Sequence, residues 1–125
     1  MHKHDGPTVL IVDDNPTNLK LASEVLAMEG YTVVQATDAT QALAMLQGIR
    51  PSLILMDIAL PGMDGLALTR KLKSEASFAH IPIIALSAFA MKGDEEKIRH
   101  GGCEAYIAKP ISVVKFLETV AKLLN

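Results

Sequence analysis

The sequence predicts an α/β protein: a doubly wound, five-stranded parallel sheet with five helices on its two faces. Three observations lead there. Short apolar runs alternate with stretches of helical periodicity, five times along the chain. The loops between them are short, so each strand–helix unit must return to one sheet by a right-handed crossover. Three of the five runs are apolar throughout, as strands buried on both faces must be.

Each element has its own signal. Val9-Leu10-Ile11-Val12 is the first strand, closed by Asp13 and Asp14. Asn15-Pro16 starts a helix, with the asparagine at the cap and proline in the first turn. Leu19, Ala22, Val25, Leu26 and Met28 give that helix an apolar face, and Gly30 stops it. Thr32 to Ala36 is a second, more polar strand. Asp38 or Thr40 begins a helix carrying Ala42, Leu43, Met45 and Leu46, which Arg50-Pro51 breaks. Leu53-Ile54-Leu55-Met56 is the third strand and ends at Asp57. Pro61-Gly62 and Asp64-Gly65 are turn signals, followed by a helix with Leu66, Leu68 and Leu72. Ile81 to Leu86 is the fourth strand, ending at Ser87. A mostly charged helix from Asp94 to His100 has Ile98 as its anchor, and Gly101-Gly102 ends it. Ala105 to Ala108 is the fifth strand, ending at Lys109-Pro110. Ser112 caps a last helix in which Val113, Leu117, Val120 and Leu124 repeat at helical spacing.

The second and fifth strands are the weaker ones, so they belong at the sheet edges. That is consistent with strand order 2-1-3-4-5, the flavodoxin-like doubly wound arrangement. The chain has 125 residues and is half hydrophobic, enough for one domain over residues 8–125 behind a polar tail, residues 1–7. His2 and His4 in that tail read as mobile residues rather than a metal site. The formal net charge of −2 gives no electrostatic reason to expect nucleic acid or anionic lipid as a partner. No apolar run is long enough to span a membrane, and no signal-peptide core stands at the start. The one cysteine, Cys103, allows no internal disulfide and reads as a half-buried small residue.

In such sheets sites form beyond the carboxyl ends of the strands, where the strand order reverses. Here that point lies between strands 1 and 3, which end in Asp13-Asp14 and in Asp57. Strand 4 brings Ser87 to the same rim and strand 5 brings Lys109. Any one of these alone reads as a turn residue, a cap or a solvated charge. Five polar groups ending four strands on one rim do not. Two carboxylates about 5 Å apart repel by roughly 3 kcal/mol at an effective dielectric near 20, so three need an offset. Lys109 and a divalent cation supply it, and an all-oxygen donor set favours Mg²⁺.

Ile11-Val12-Asp13-Asp14-Asn15, Leu55 to Gly65, Leu86-Ser87-Ala88 and Ala108-Lys109-Pro110 resemble the response-regulator receiver domain, over nearly the whole chain. Ala88 to Glu96 and Gly101 to Tyr106 look most like its stand-alone cell-division members. The resemblance implies that Asp57 is the nucleophile that becomes an aspartyl phosphate. It implies that Asp13, Asp14, Asp57 and the Ala59 carbonyl hold Mg²⁺, and that Lys109 contacts the phosphoryl oxygens. Ser87 is then expected to move to the phosphate, Tyr106 to rotate inward, and the Lys109–Pro110 peptide to be cis. The donor would be a sensor histidine kinase or a histidine phosphotransfer protein. The output would be a protein target, met through the helix 91–100, the fifth strand and the last helix, where Lys92, Glu95, Glu96, Lys97, Arg99, Lys115 and Glu118 stand. Such a protein catalyses its own phosphorylation but acts as a switch in the bacterial cytoplasm, not as a turnover enzyme.

The position two after the phosphorylated aspartate often carries a polar side chain in the family; here it is Ala59. Its methyl cannot orient an attacking water, so hydrolysis is expected to proceed without that aid. An unchanged phosphoryl lifetime in Ala59→Asn would contradict this. Three other readings are weaker. An FMN carrier needs a phosphate-cradling loop where Asp13-Asp14 stands. An aspartyl phosphatase needs an acid at position 59. A docking scaffold that is never phosphorylated would lack one of the key acids or the lysine. A stand-alone protein and a receiver module of a hybrid histidine kinase both fit the resemblance.

Overall fold

The computed structural model describes residues 7–58, 65–87, 96, 98, 99, 101–108 and 111–124. Its elements run β1 (Thr8–Val12), α1 (Pro16–Met28), β2 (Thr32–Ala36), α2 (Ala39–Leu46), β3 (Leu53–Asp57), α3 (Gly65–Lys73), β4 (Ile83–Ser87), β5 (Ala105–Ala108) and α4 (Val113–Leu124). The five strands pair in parallel in the order β2-β1-β3-β4-β5. Among the described residues four helices are complete, against five expected. The helix expected over Asp94–His100 lies largely outside those residues, although Glu96, Ile98 and Arg99 within it are helical.

Alternation along the strands builds a core on each face. Leu10, Val12, Ile54, Met56, Ile83 and Ala85 point to the side covered by α2 and α3, where Leu46, Leu68, Leu72 and Ile98 meet them. Val9, Ile11, Leu53, Leu55, Ile84 and Leu86 point to the other side, under Leu19, Leu26, Phe116 and Val120 of α1 and α4. β3 and β4 are buried along their full length, while the edge strands β2 and β5 are mostly half-buried. That gradient follows from strand order, because an edge strand has a neighbour on one side only.

The helix ends follow their sequence signals. Asn15 caps α1, its side-chain oxygen accepting from the N–H groups of Thr17 at 2.9 Å and Asn18 at 3.2 Å. At the other end Gly30 takes φ 91°, and Gly30 N–H donates to Ala27 O while Tyr31 N–H donates to Leu26 O. This pair of bonds closes the helix and requires a left-handed residue there. The same pattern ends the segment after Arg99, where Gly102 N–H donates to Arg99 O and Cys103 N–H to Ile98 O. Of the two candidate caps for α2, Asp38 is the one used, accepting from Gln41 N–H at 2.8 Å. Gln41 in turn accepts from Thr37 N–H at 2.8 Å, so the turn is held from both sides.

Two apolar residues assigned to helix faces are exposed. Met28 is 85% exposed, because it lies nine residues beyond Leu19, half a turn out of phase with the buried face. Val113 is 41% exposed, and α4 instead buries Phe116 and Val120, with Leu117 and Leu124 half-buried beside them. Cys103 is buried rather than half-buried. Strand β4 begins at Ile83, since Pro82 has no N–H to give the ladder; its carbonyl accepts from Ile54 N–H instead.

Candidate functional site

The register of the central strands assembles the site. Val12 pairs with Met56, so Asp13 and Asp57 follow side by side at the carboxyl end of β1 and β3. Asp57 pairs with Leu86 on β4, and Ser87 with Ala108 on β5, which carries the rim across four strands. The backbone fixes each position. Asp13 N–H donates to Ala36 O at 3.0 Å, and Ile58 N–H donates to Leu86 O at 3.1 Å, tying the residue after Asp57 to the neighbouring strand.

On that rim the three carboxylates converge. Asp13, Asp14 and Asp57 each offer an oxygen, and these oxygens lie within 4.8 Å of one another. Asp13 is fully buried and Asp57 is 4% exposed, whereas Asp14 stands in solvent. Asp13 Oδ1 accepts from Asn15 N–H at 2.9 Å. Asn15 therefore serves twice: its side chain starts α1 and its N–H orients an acid of the cluster. That second role has no sequence signal, because it belongs to a backbone group.

The donor set fits a hard divalent cation. Among the described residues it holds carboxylate oxygens, with no imidazole or thiolate, and the exposed Asp14 edge leaves room for the waters that Mg²⁺ retains. A cation also offsets the mutual repulsion of three acids, two of them in a buried setting.

Ser87 is buried at the end of β4. Tyr106 is half-buried on β5, in register with Ala85. Ser87 lies one side-chain period further along the same face as Ala85, the residue paired with Tyr106. Tyr106 packs against the core on the α2 and α3 side and borders a groove of about 470 Å³ with Arg99, Glu104, Glu118 and Lys122. A second groove of about 380 Å³, with Ser112 and Lys115 in its lining, also borders Tyr106. Of the charges expected on this face, Glu96, Arg99, Lys115 and Glu118 are exposed; Lys92, Glu95 and Lys97 lie outside the described residues. So do three expected site residues, Ala59, Lys109 and Pro110; Lys109 follows directly in sequence on Ala108, the last residue of β5.

The model of the response regulator receiver domain matches residues 9–121. The chain belongs to that family. It is 50% identical over 118 residues to the polar-differentiation response regulator DivK of Brucella anthropi, an alignment covering 94% of this chain and 96% of that protein. The DivK of Brucella ovis matches to the same extent. This agrees with the likeness to stand-alone cell-division regulators carried by Ala88 to Glu96 and Gly101 to Tyr106. Among solved structures, the chemotaxis response regulator CheY4 of Vibrio cholerae superposes with a TM-score of 0.90 at 26% identity, covering 95% of this chain and 99% of that one. The receiver domain of a sensor histidine kinase from Pseudomonas aeruginosa, solved with magnesium coordinated in its active-site cleft, gives 0.87 at 34% identity, covering 95% and 98%. The protein is thus a receiver domain of two-component signalling, a family that pairs with histidine kinases.

Proposed function

We propose that this receiver domain takes a phosphoryl group onto Asp57 from a histidine kinase or histidine phosphotransfer protein, with Mg²⁺ beside it, and thereby changes the surface around Tyr106. The meeting of Asp13, Asp14 and Asp57 within 4.8 Å, at the carboxyl ends of adjacent strands, carries this reading. Asp57 is the acid at the end of a fully buried strand, paired there with Leu86 of β4, and so is the best positioned to attack in line.

The chemistry asks little of the protein beyond placement and charge. A carboxylate oxygen of Asp57 attacks phosphorus, the bond from phosphorus to the donor imidazole breaks, and the imidazole nitrogen leaves with the electron pair. No base is needed, because the attacking carboxylate is already ionised. Asp13, Asp14, Asp57 and the Ala59 carbonyl would hold Mg²⁺, which would supply charge neutralisation at the phosphoryl oxygens; the Pseudomonas receiver domain coordinates magnesium in its cleft. Lys109 pairs with the same oxygens. Ser87 donates its hydroxyl to the new phosphate, and Tyr106 turns towards the room this leaves beside Ala85.

The groove beside Tyr106, with the exposed charges Arg99, Lys115 and Glu118, is the surface a downstream protein reads. We place the protein in the bacterial cytoplasm, where its donor's catalytic domains work. Among the described residues no helix is long and apolar enough to cross a membrane.

Intact-mass measurement after incubation with phosphoramidate tests the reading. The expected result is a gain of one phosphoryl group that needs Mg²⁺, is abolished by EDTA and is absent in Asp57→Asn. A phosphoryl gain that persists in Asp57→Asn would overturn the site. No gain from phosphoramidate or from a histidine kinase would favour a docking scaffold.

A further inference from the structure

We propose that Gly65 is a positioning residue for the phosphoacceptor: having no side chain, it lets the first turn of α3 rest directly on the Asp57–Ile58 peptide, and Thr69 clamps that turn. This inference rests on the reading of Asp57 as the acceptor.

Gly65 is buried at the first position of α3. Its N–H donates to Ile58 O at 2.7 Å. A Cβ built there would overlap the Asp57 carbonyl oxygen and lie 2.8 Å from Ile58 Cα and 2.9 Å from the Asp57 carbonyl carbon. Every one of these atoms is backbone, so no flexible side chain can swing aside. Any larger residue must push α3 outward or move the Asp57 peptide. The contrast with Gly48 is plain: a Cβ there meets only Met45 O, at 3.9 Å.

The turn is also secured from inside α3. Thr69 is fully buried, and its Oγ1 donates to Gly65 O at 2.8 Å. Ile58 is meanwhile fastened to β4 through its N–H on Leu86 O. Ile58, the residue that follows the acceptor, is therefore held on both sides, by a strand through its N–H and by a helix through its carbonyl. In-line attack is sensitive to displacements of this size: about 1 Å at a reacting group costs up to about a hundredfold in rate.

The test compares the full chain with Gly65→Ala, Gly48→Ala and Thr69→Val. Urea unfolding gives the folded fraction, and phosphoramidate phosphorylation is followed against donor concentration at saturating Mg²⁺. The expected result for Gly65→Ala is a maximal rate per folded molecule lower by about tenfold, with the half-saturating donor concentration within about twofold of wild type. Thr69→Val, which removes the clamp without a clash, lowers the maximal rate by about threefold in the same pattern. Gly48→Ala matches wild type. A merely structural role would lower the urea midpoint and leave the rate per folded molecule intact, and that result overturns the proposal. If Gly65→Ala does not fold, Thr69→Val decides: a rate equal to wild type overturns it. Wild-type protein that gains phosphate elsewhere than on Asp57 would instead sink the underlying reading.

Discussion

At the carboxyl end of the sheet, Asp13, Asp14 and Asp57 bring oxygens within 4.8 Å of one another. At the amino end, Lys73 Nζ meets Glu104 Oε1 at 2.6 Å and also donates to Ile81 O at 2.7 Å and Ala79 O at 3.2 Å. The second oxygen of Glu104 accepts from Ile83 N–H at 2.5 Å. Nearby, Arg50 donates to Leu46 O and lies 5.1 Å over the Phe78 ring. One end gathers like charges; the other closes opposite charges onto strand and helix ends. Both are built at strand ends of one sheet, so the difference belongs to the residues placed there and not to the fold. It teaches that the amino end is closed by paired opposite charges, while the carboxyl end gathers like charges that a cation would offset.

The largest effect that would break this comparison is the response to Mg²⁺. At about a hundredfold excess over its dissociation constant, the ion is expected to stabilise the native protein by about 2.7 kcal/mol in urea unfolding. Asp13→Asn should lose most of that gain, and Glu104→Ala should keep it. Equal losses in both variants would mean that the cation does not act at the acid cluster.

Removing a carboxylate should have opposite signs at the two ends when metal is absent. Glu104→Ala takes away a charged partner of Lys73 and the acceptor for Ile83 N–H. The pair is partly exposed, at 18% and 36%, so screening limits the cost to about 1–2 kcal/mol. Asp57→Asn keeps the shape but removes one of three like charges, and it should raise stability in EDTA by about 1 kcal/mol. Destabilisation by Asp57→Asn would show that the cluster is balanced by groups that need its charge, and the contrast between the ends would fail.

The two ends also differed in how far the sequence revealed them. Asp13, Asp57 and Ser87 close apolar runs, so the strand pattern alone carried them to one rim, and the weak second and fifth strands put the order right. The Lys73–Glu104 latch left no such trace, because its partners are 31 residues apart and each reads as a surface charge. Gly65 read as half of a turn signal; its contact with the Asp57 peptide is made by backbone atoms, which carry no residue signature. Met28 and Val113 misled for a different reason. An apolar side chain is permitted at the surface, so identity without phase does not establish burial.

The smallest effect concerns Cys103, which lies on the shut side, beside Glu104. Burial raises its thiol above the ordinary cysteine value, with Glu104 adding to the rise, while the Thr69 hydroxyl and Lys73 pull against it. In the unfolded chain the thiol titrates near its ordinary value, about 8.5. Between that value and the raised native one the unfolded state binds fewer protons than the native state, so stability must fall as pH rises past about 8.5 and is fully present below it. The expected loss is under about 1 kcal/mol between pH 8 and pH 10, read from urea midpoints, and the part due to the thiol disappears in Cys103→Ala. The same burial makes native Cys103 slower to alkylate than a free thiol at pH 8. If it reacts as fast as a free thiol, the amino end opens readily in the native state, and the two ends differ in charge but not in closure.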